Sequence, residues 1–139
     1  MPIRIERIAE KDLTVFVVTG VLGPGEQLKA LEKFYEGDPT RHVLWDFRKV
    51  EGERYFYEDV KEIVAFSKTK AHLRPPGKTA IVTSKAVDFG LARMAKSLSE
   101  AMEMPWEAGS FTSIEDAVAW LDVSYLGPRE TEERGEEKP

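Results

Sequence analysis

Apolar residues in this chain switch repeatedly between two spacings, every second residue and every third or fourth, and that alternation limits the folds open to it. Ile3-Arg4-Ile5-Glu6-Arg7-Ile8 alternates apolar and polar, the pattern of a strand with one buried face. Asp12 marks a turn. Leu13 to Thr19, rich in β-branched residues, predicts a second strand returning beside the first as an antiparallel hairpin. Gly23-Pro24-Gly25 then breaks the chain and opens a helix, with Pro24 suited to the first position, where its missing N–H costs no intrahelical bond. Leu28, Leu31, Phe34 and Tyr35 supply the apolar face, and Gly37-Asp38-Pro39 ends the helix.

The same logic carries on along the chain. His42 to Phe47 predicts a third strand centred on Val43-Leu44-Trp45, followed by a polar loop from Arg48 to Arg54. A second helix is expected from about Tyr57 to His72, with Val60, Ile63, Val64, Ser67 and Ala71 on one face and Pro75-Pro76-Gly77 as its stop. Thr79 to Thr83 reads as a fourth strand, Asp88 to Met102 as a third helix, and Trp106 to Phe111 as a fifth strand. Thr112-Ser113-Ile114-Glu115 has the form of a capping box before a last helix lined by Ile114, Ala117, Val118 and Leu121. The order is ββαβαβαβα. It predicts an α/β domain with a mixed, mostly parallel five-stranded sheet, four helices and right-handed crossovers. The expected division is one domain over residues 1–124 and a charged, disordered tail over 125–139, where Glu, Arg, Pro and Gly replace residues able to form a core.

Composition excludes several classes of function. There is no cysteine among the 139 residues, so disulfides, thiolate metal sites and cysteine nucleophiles are absent. The longest strongly apolar stretch near the start, Val15-Phe16-Val17-Val18, is too short for a membrane span or a signal-peptide core. A cytoplasmic location with no transmembrane segment is the resulting expectation. The net charge of -5, to which the tail contributes -2, argues against a nucleic-acid partner.

Asp88-Phe89-Gly90-Leu91-Ala92-Arg93 repeats the metal-binding letters of protein kinases, but no Gly-rich loop, strand lysine or catalytic loop accompanies it. Its simpler meaning is structural, Asp88 as a helix N-cap and Gly90 as a point of close approach. His42 and His72 are the only histidines, and no ligand spacing surrounds them, so neither a metal nor a cofactor is expected. Lys68, Lys70, His72, Arg74 and Lys78 read as a solvated basic helix end. Tyr55-Phe56-Tyr57 cannot all face inward, so it forms either a hydrophobic lid or part of a partner surface. Ligands of parallel sheets bind outside the carboxyl ends of the strands. Those ends carry Asp46, Arg48, Ser84 and Lys85, with Arg54 and Arg93 expected nearby, a set able to hold an anion with help from helix N-termini. These residues, with Tyr55 and Tyr57, form the candidate ligand or partner site; no catalytic residue is assigned.

From Ile3 to about Val123 the order of elements resembles the SpoIIAA-like group, which includes STAS domains and is related in fold to CRAL-TRIO lipid-binding domains. The resemblance rests on Leu44-Trp45-Asp46-Phe47, Lys78-Thr79-Ala80-Ile81-Val82, Phe89-Gly90-Leu91-Ala92-Arg93-Met94 and Glu115-Asp116-Ala117-Val118-Ala119-Trp120-Leu121, and is nearest to small stand-alone bacterial members. Antagonists of anti-sigma factors in this group carry a phosphorylatable serine at the start of the helix after the third strand. Residues 46 to 61 contain neither serine nor threonine, so the phosphoswitch is missing here. The resemblance implies a non-enzymatic interaction or regulatory module with a protein partner or self-association. The alternatives are a binder of a small apolar, lipid-like or anionic ligand, held in a cavity between the helices and the sheet or at the carboxyl ends of the strands, and an enzyme using Asp46 or Asp88 as a buried carboxylate base.

Overall fold

The computed structural model describes residues 3–53 and 57–123. Its elements are β1 (Ile3–Ile8), β2 (Leu13–Leu22), α1 (Pro24–Glu36), β3 (His42–Glu53), α2 (Tyr57–Lys70), β4 (Lys78–Val82), α3 (Ala86–Ala101), β5 (Glu107–Phe111) and α4 (Ile114–Leu121). The expected ββαβαβαβα order is present, with short 3-10 turns at Ala9–Lys11 and Ala71–Leu73. The tail from residue 125, with Arg54, Tyr55 and Phe56, lies outside the described residues.

The five strands lie side by side in sequence order, β1 antiparallel to β2 and every later pair parallel. Sequential order combined with right-handed crossovers sends each connecting helix to the same side of a sheet. Accordingly α1, α2 and α3 pack together on one face, while α4, which connects no strands, covers β3, β4 and β5 on the other. The central strands are therefore buried on both sides. Phe16, Val18 and Trp45 face the three helices, and Val15, Val17 and Leu44 face α4. Phe16 and Trp45 stack at 4.0 Å between ring centroids, and Trp45 and Phe47 at 5.8 Å.

Several boundaries differ from expectation for identifiable reasons. The polar loop expected at Arg48 to Arg54 is instead strand as far as Glu53. Register shifts after Val17 and Gly20 let the ends of β2 and β3 continue pairing through Thr19–Lys49 and Gly20–Val50. Gly20 has φ +68°, a conformation other side chains resist. The capping residue of α3 is Lys85, not Asp88, which stands in the first turn. Gly90 makes no close approach, since a Cβ there would have nothing within 4 Å. In α4 the cap is Ser113 rather than Thr112, with the Asp116 N–H donating to its hydroxyl at 3.0 Å.

The basic stretch is not uniformly solvated either. Arg74 is buried, with its guanidinium 4.2 Å from the Trp106 ring centroid and donating to the carbonyls of Arg41 and Lys78, both at 3.0 Å. It ties together the amino ends of β3 and β4. Lys68 donates to the Met102 carbonyl at 2.8 Å, and Lys78 to that of Trp120 at 2.8 Å.

Candidate functional site

The carboxyl end of β4 and the middle of β3, where its pairing with β4 stops at Asp46–Val82, bring four of the sequence-predicted residues together. Asp46 is 3% exposed and follows Leu44 onto the α4 side of the sheet through strand alternation. Its carboxylate accepts from Arg48 in a forked pair, Nε to Oδ1 at 2.9 Å and Nη2 to Oδ2 at 3.0 Å, and from the Arg48 backbone N–H at 3.1 Å. The Ser84 hydroxyl donates to the Arg48 carbonyl at 3.0 Å, and Lys85 Nζ to the Val50 carbonyl at 2.7 Å. These contacts bind the loop after β4 to the extended end of β3. The cationic groups expected to receive an anion are engaged with the protein's own oxygens.

Arg93 is elsewhere. With Phe89, Phe111 and Trp120 it lines a groove beside β5, its guanidinium 6.0 Å from the Phe89 ring centroid. Arg54 and Tyr55 lie outside the described residues, and Tyr57 opens α2.

A pocket between helices and sheet, one of the two ligand locations expected from the sequence but with none of its lining residues named there, lies on the opposite side of the sheet from Asp46. Between α2, α3 and the ends of the strands is a cavity of ≈ 80 Å³ walled by Leu22, Phe47, Val50, Val60, Ile63 and Leu91, among other apolar side chains. Three polar side chains join this wall: Gln27, Thr83 and Asp88. Thr83 is 1% exposed and Asp88 6%. The Thr83 hydroxyl and both carboxylate oxygens of Asp88 have no hydrogen-bond partner. Asp88 sits in the first turn of α3, where a carboxylate commonly reaches back to the backbone N–H of the capping residue. Glu26 does this in α1, accepting from the Gly23 N–H at 3.0 Å. Asp88 does not; it lines the cavity. The arrangement offers unpartnered hydrogen-bonding groups in the wall of a largely apolar pocket, which is the chemistry of a small-molecule site. The sequence held one clue: Asp88 lies among the apolar residues that begin α3, but its register became evident only once the helix started two residues early.

An adjoining cavity of ≈ 90 Å³ shares Gln27, Phe47, Ile63, Val64, Ile81 and Ala95 with the first and reaches Tyr35, Ser67 and Arg74. Burial pushes the Tyr35 hydroxyl above its usual pKa and brings Arg74 down to about 10. His42, at the amino end of β3, is held below its usual value, first by desolvation and then by the charge of Arg41. Among the described residues no group of three or more His, Cys, Asp or Glu could hold a metal, and no helix is long and apolar enough to cross a membrane.

No family model and no curated protein matches the sequence. Solved structures do match in fold. A DUF3478-family protein with a SpoIIAA-like fold from Shewanella loihica PV-4 superposes with a TM-score of 0.54 at 20% identity, over 86% of this chain and 91% of that one. The anti-sigma factor antagonist SpoIIAA in its unphosphorylated form superposes with a TM-score of 0.50 at 11% identity, over 86% of this chain and 96% of that one. With the mixed five-stranded sheet and its four helices, these likenesses show that the chain has a SpoIIAA-like fold.

Proposed function

We propose that this chain is a non-enzymatic regulatory module of STAS type whose input is a small, largely apolar molecule held between α2, α3 and the sheet. The supporting observation is the apolar cavity of ≈ 80 Å³ whose wall includes the buried, unpartnered carboxylate of Asp88. Packed interiors leave few voids larger than a water molecule, and buried polar atoms without partners are uncommon. Their coincidence in one place favours a binding pocket over a packing defect. A serine phosphoswitch has no support, because residues 46 to 61 lack serine and threonine. An anionic ligand at the strand ends has little, because Arg48 and Lys85 are already engaged.

Xenon provides a direct test, since it enters dry apolar cavities irrespective of their natural occupant. Under xenon pressure, methyl resonances of Val60, Ile63, Val64 and Leu91 should shift while those facing α4 remain unmoved. No shift at any of them would remove the pocket reading.

A protein partner is the accompanying output. SpoIIAA is described as an anti-sigma factor antagonist, a role exercised through another protein. In this chain β5 is the outermost strand, and the groove along it combines Phe89, Phe111, Trp120 and Arg93. An extended acidic segment fits that groove, its backbone pairing with the strand edge and its carboxylates meeting Arg93. Such peptides should perturb the amides of β5 and lose affinity in an Arg93→Glu variant; perturbation confined to other surfaces would refute this second part. The reading keeps the chain cytoplasmic, without cofactor and without nucleic acid.

A further inference from the structure

We infer that the cavity beside Asp88 selects amines: its occupant is a small molecule bearing a protonated amine on a short hydrocarbon body, and Asp88 recognises the nitrogen. The inference rests on reading the cavity as a binding pocket and adds the chemical class of its ligand.

Among the described residues, Asp88 is the only ionisable side chain on the cavity wall. It is 6% exposed, and neither carboxylate oxygen has a hydrogen-bond partner. A carboxylate in that setting is costly unless something supplies donors and opposite charge. Two nearby cations among the described residues are committed elsewhere. Lys85, which caps α3, donates to the Val50 carbonyl at 2.7 Å, and Arg48 is paired with Asp46 at 2.9 Å. The start of α3 favours the negative charge on Asp88, as a helix N-terminus does, but places no donor on it.

Complementarity then sorts the candidate ligands. A carboxylate or phosphate would bring a second negative charge into a pocket whose described wall holds no cation. An alcohol supplies one donor for the open acceptors of Asp88 and Thr83. A protonated amine supplies up to three and offsets the charge as well, in hydrogen bonds stronger than neutral ones. The remainder of the wall, including Val60, Ile63 and Leu91, suits a hydrocarbon body.

The test uses three probes of equal length: n-pentylamine, 1-pentanol and pentanoate, titrated at neutral pH and followed by calorimetry and by the methyl resonances of Val60, Ile63 and Leu91. Wild type should bind the amine roughly tenfold or more tightly than the alcohol, and pentanoate least. Asp88→Asn, which keeps the side-chain shape, should bring the amine to about the affinity of the alcohol. Equal binding of amine and alcohol by wild type, a preference for pentanoate, or an amine preference that survives in Asp88→Asn would overturn the inference while leaving the pocket in place. Failure of all three probes where xenon enters would do the same; failure of xenon as well would remove the pocket itself. Ala92→Met fills the cavity from α3 and retains the carboxylate, so it should lose both the amine and the alcohol. Undiminished amine binding in that variant would locate the attraction on the surface and refute the assignment.

Discussion

A Cβ on Gly77 would stand 2.2 Å from the backbone carbonyl oxygen of Arg41, and the same oxygen accepts from the buried guanidinium of Arg74. The neighbour is main chain and cannot swing aside. Gly77→Ala should therefore lower the unfolding free energy by ~2 kcal/mol or more in urea titrations, a large effect for one methyl group. The proline-glycine run before β4 was legible as a helix stop, but nothing in the sequence announced that Arg41 would lie against it. His42 permits a pH prediction. Its Nδ1 is buried without a partner, and its pKa is held below the usual value of 6.5. The folded chain thus resists a proton that the unfolded chain accepts. The contribution is complete above pH 6.5 and is lost as pH falls through that value toward the lower folded pKa. As pH falls from about 7 to about 5.5, through the usual histidine value, wild type should lose more stability than His42→Gln. Equal losses would show that His42 takes up its proton alike in both states.

At the scale of elements, most differences between expectation and structure concern where a pattern starts rather than whether it exists. The periodic apolar faces of α1, α2, α3 and α4 were all visible in the sequence, because helix faces are written in nearest-neighbour spacing. Caps are harder, since Thr112 and Ser113 are chemically equivalent and only the φ/ψ of the chain decides between them. Ser113→Ala should cost about 1 kcal/mol in unfolding free energy, and Thr112→Ala only a few tenths. The reverse order would return the cap to Thr112. The length of β3 was not legible. Lys49, Glu51 and Gly52 have the composition of a loop, and they become strand because bulges keep the end of β2 alongside them. That is a long-range pairing with no local signal.

For the molecule as a whole, the cavity sets stability against function. A buried polar group left without a partner costs roughly 1–3 kcal/mol and a carboxylate more, and sites shaped for ligands commonly carry such a cost. Without ligand, Asp88→Asn should raise the melting temperature, and a saturating amine should narrow or reverse the gap by stabilising wild type alone. Lower stability of the ligand-free variant would show that the carboxylate serves the fold. The sequence by itself determined the class of the domain, the order of its elements, and the absence of serine and threonine from residues 46 to 61. It could do so because apolar periodicity is a local property and a missing residue type is a plain fact of composition. It also brought Asp46, Arg48, Ser84 and Lys85 to one region of two adjacent strands, where they meet. Only the tertiary structure decided what those residues do there. It paired Asp46 with Arg48, carried Arg93 to the edge beside β5, and enclosed Asp88 with Thr83 in an apolar cavity on the far side of the sheet. A charge reads the same in a sequence whether it caps a helix, pairs with a neighbour or waits for a ligand. The difference lies in which atoms of distant segments come within 3 Å, roughly the reach of a hydrogen bond, and that is settled by packing.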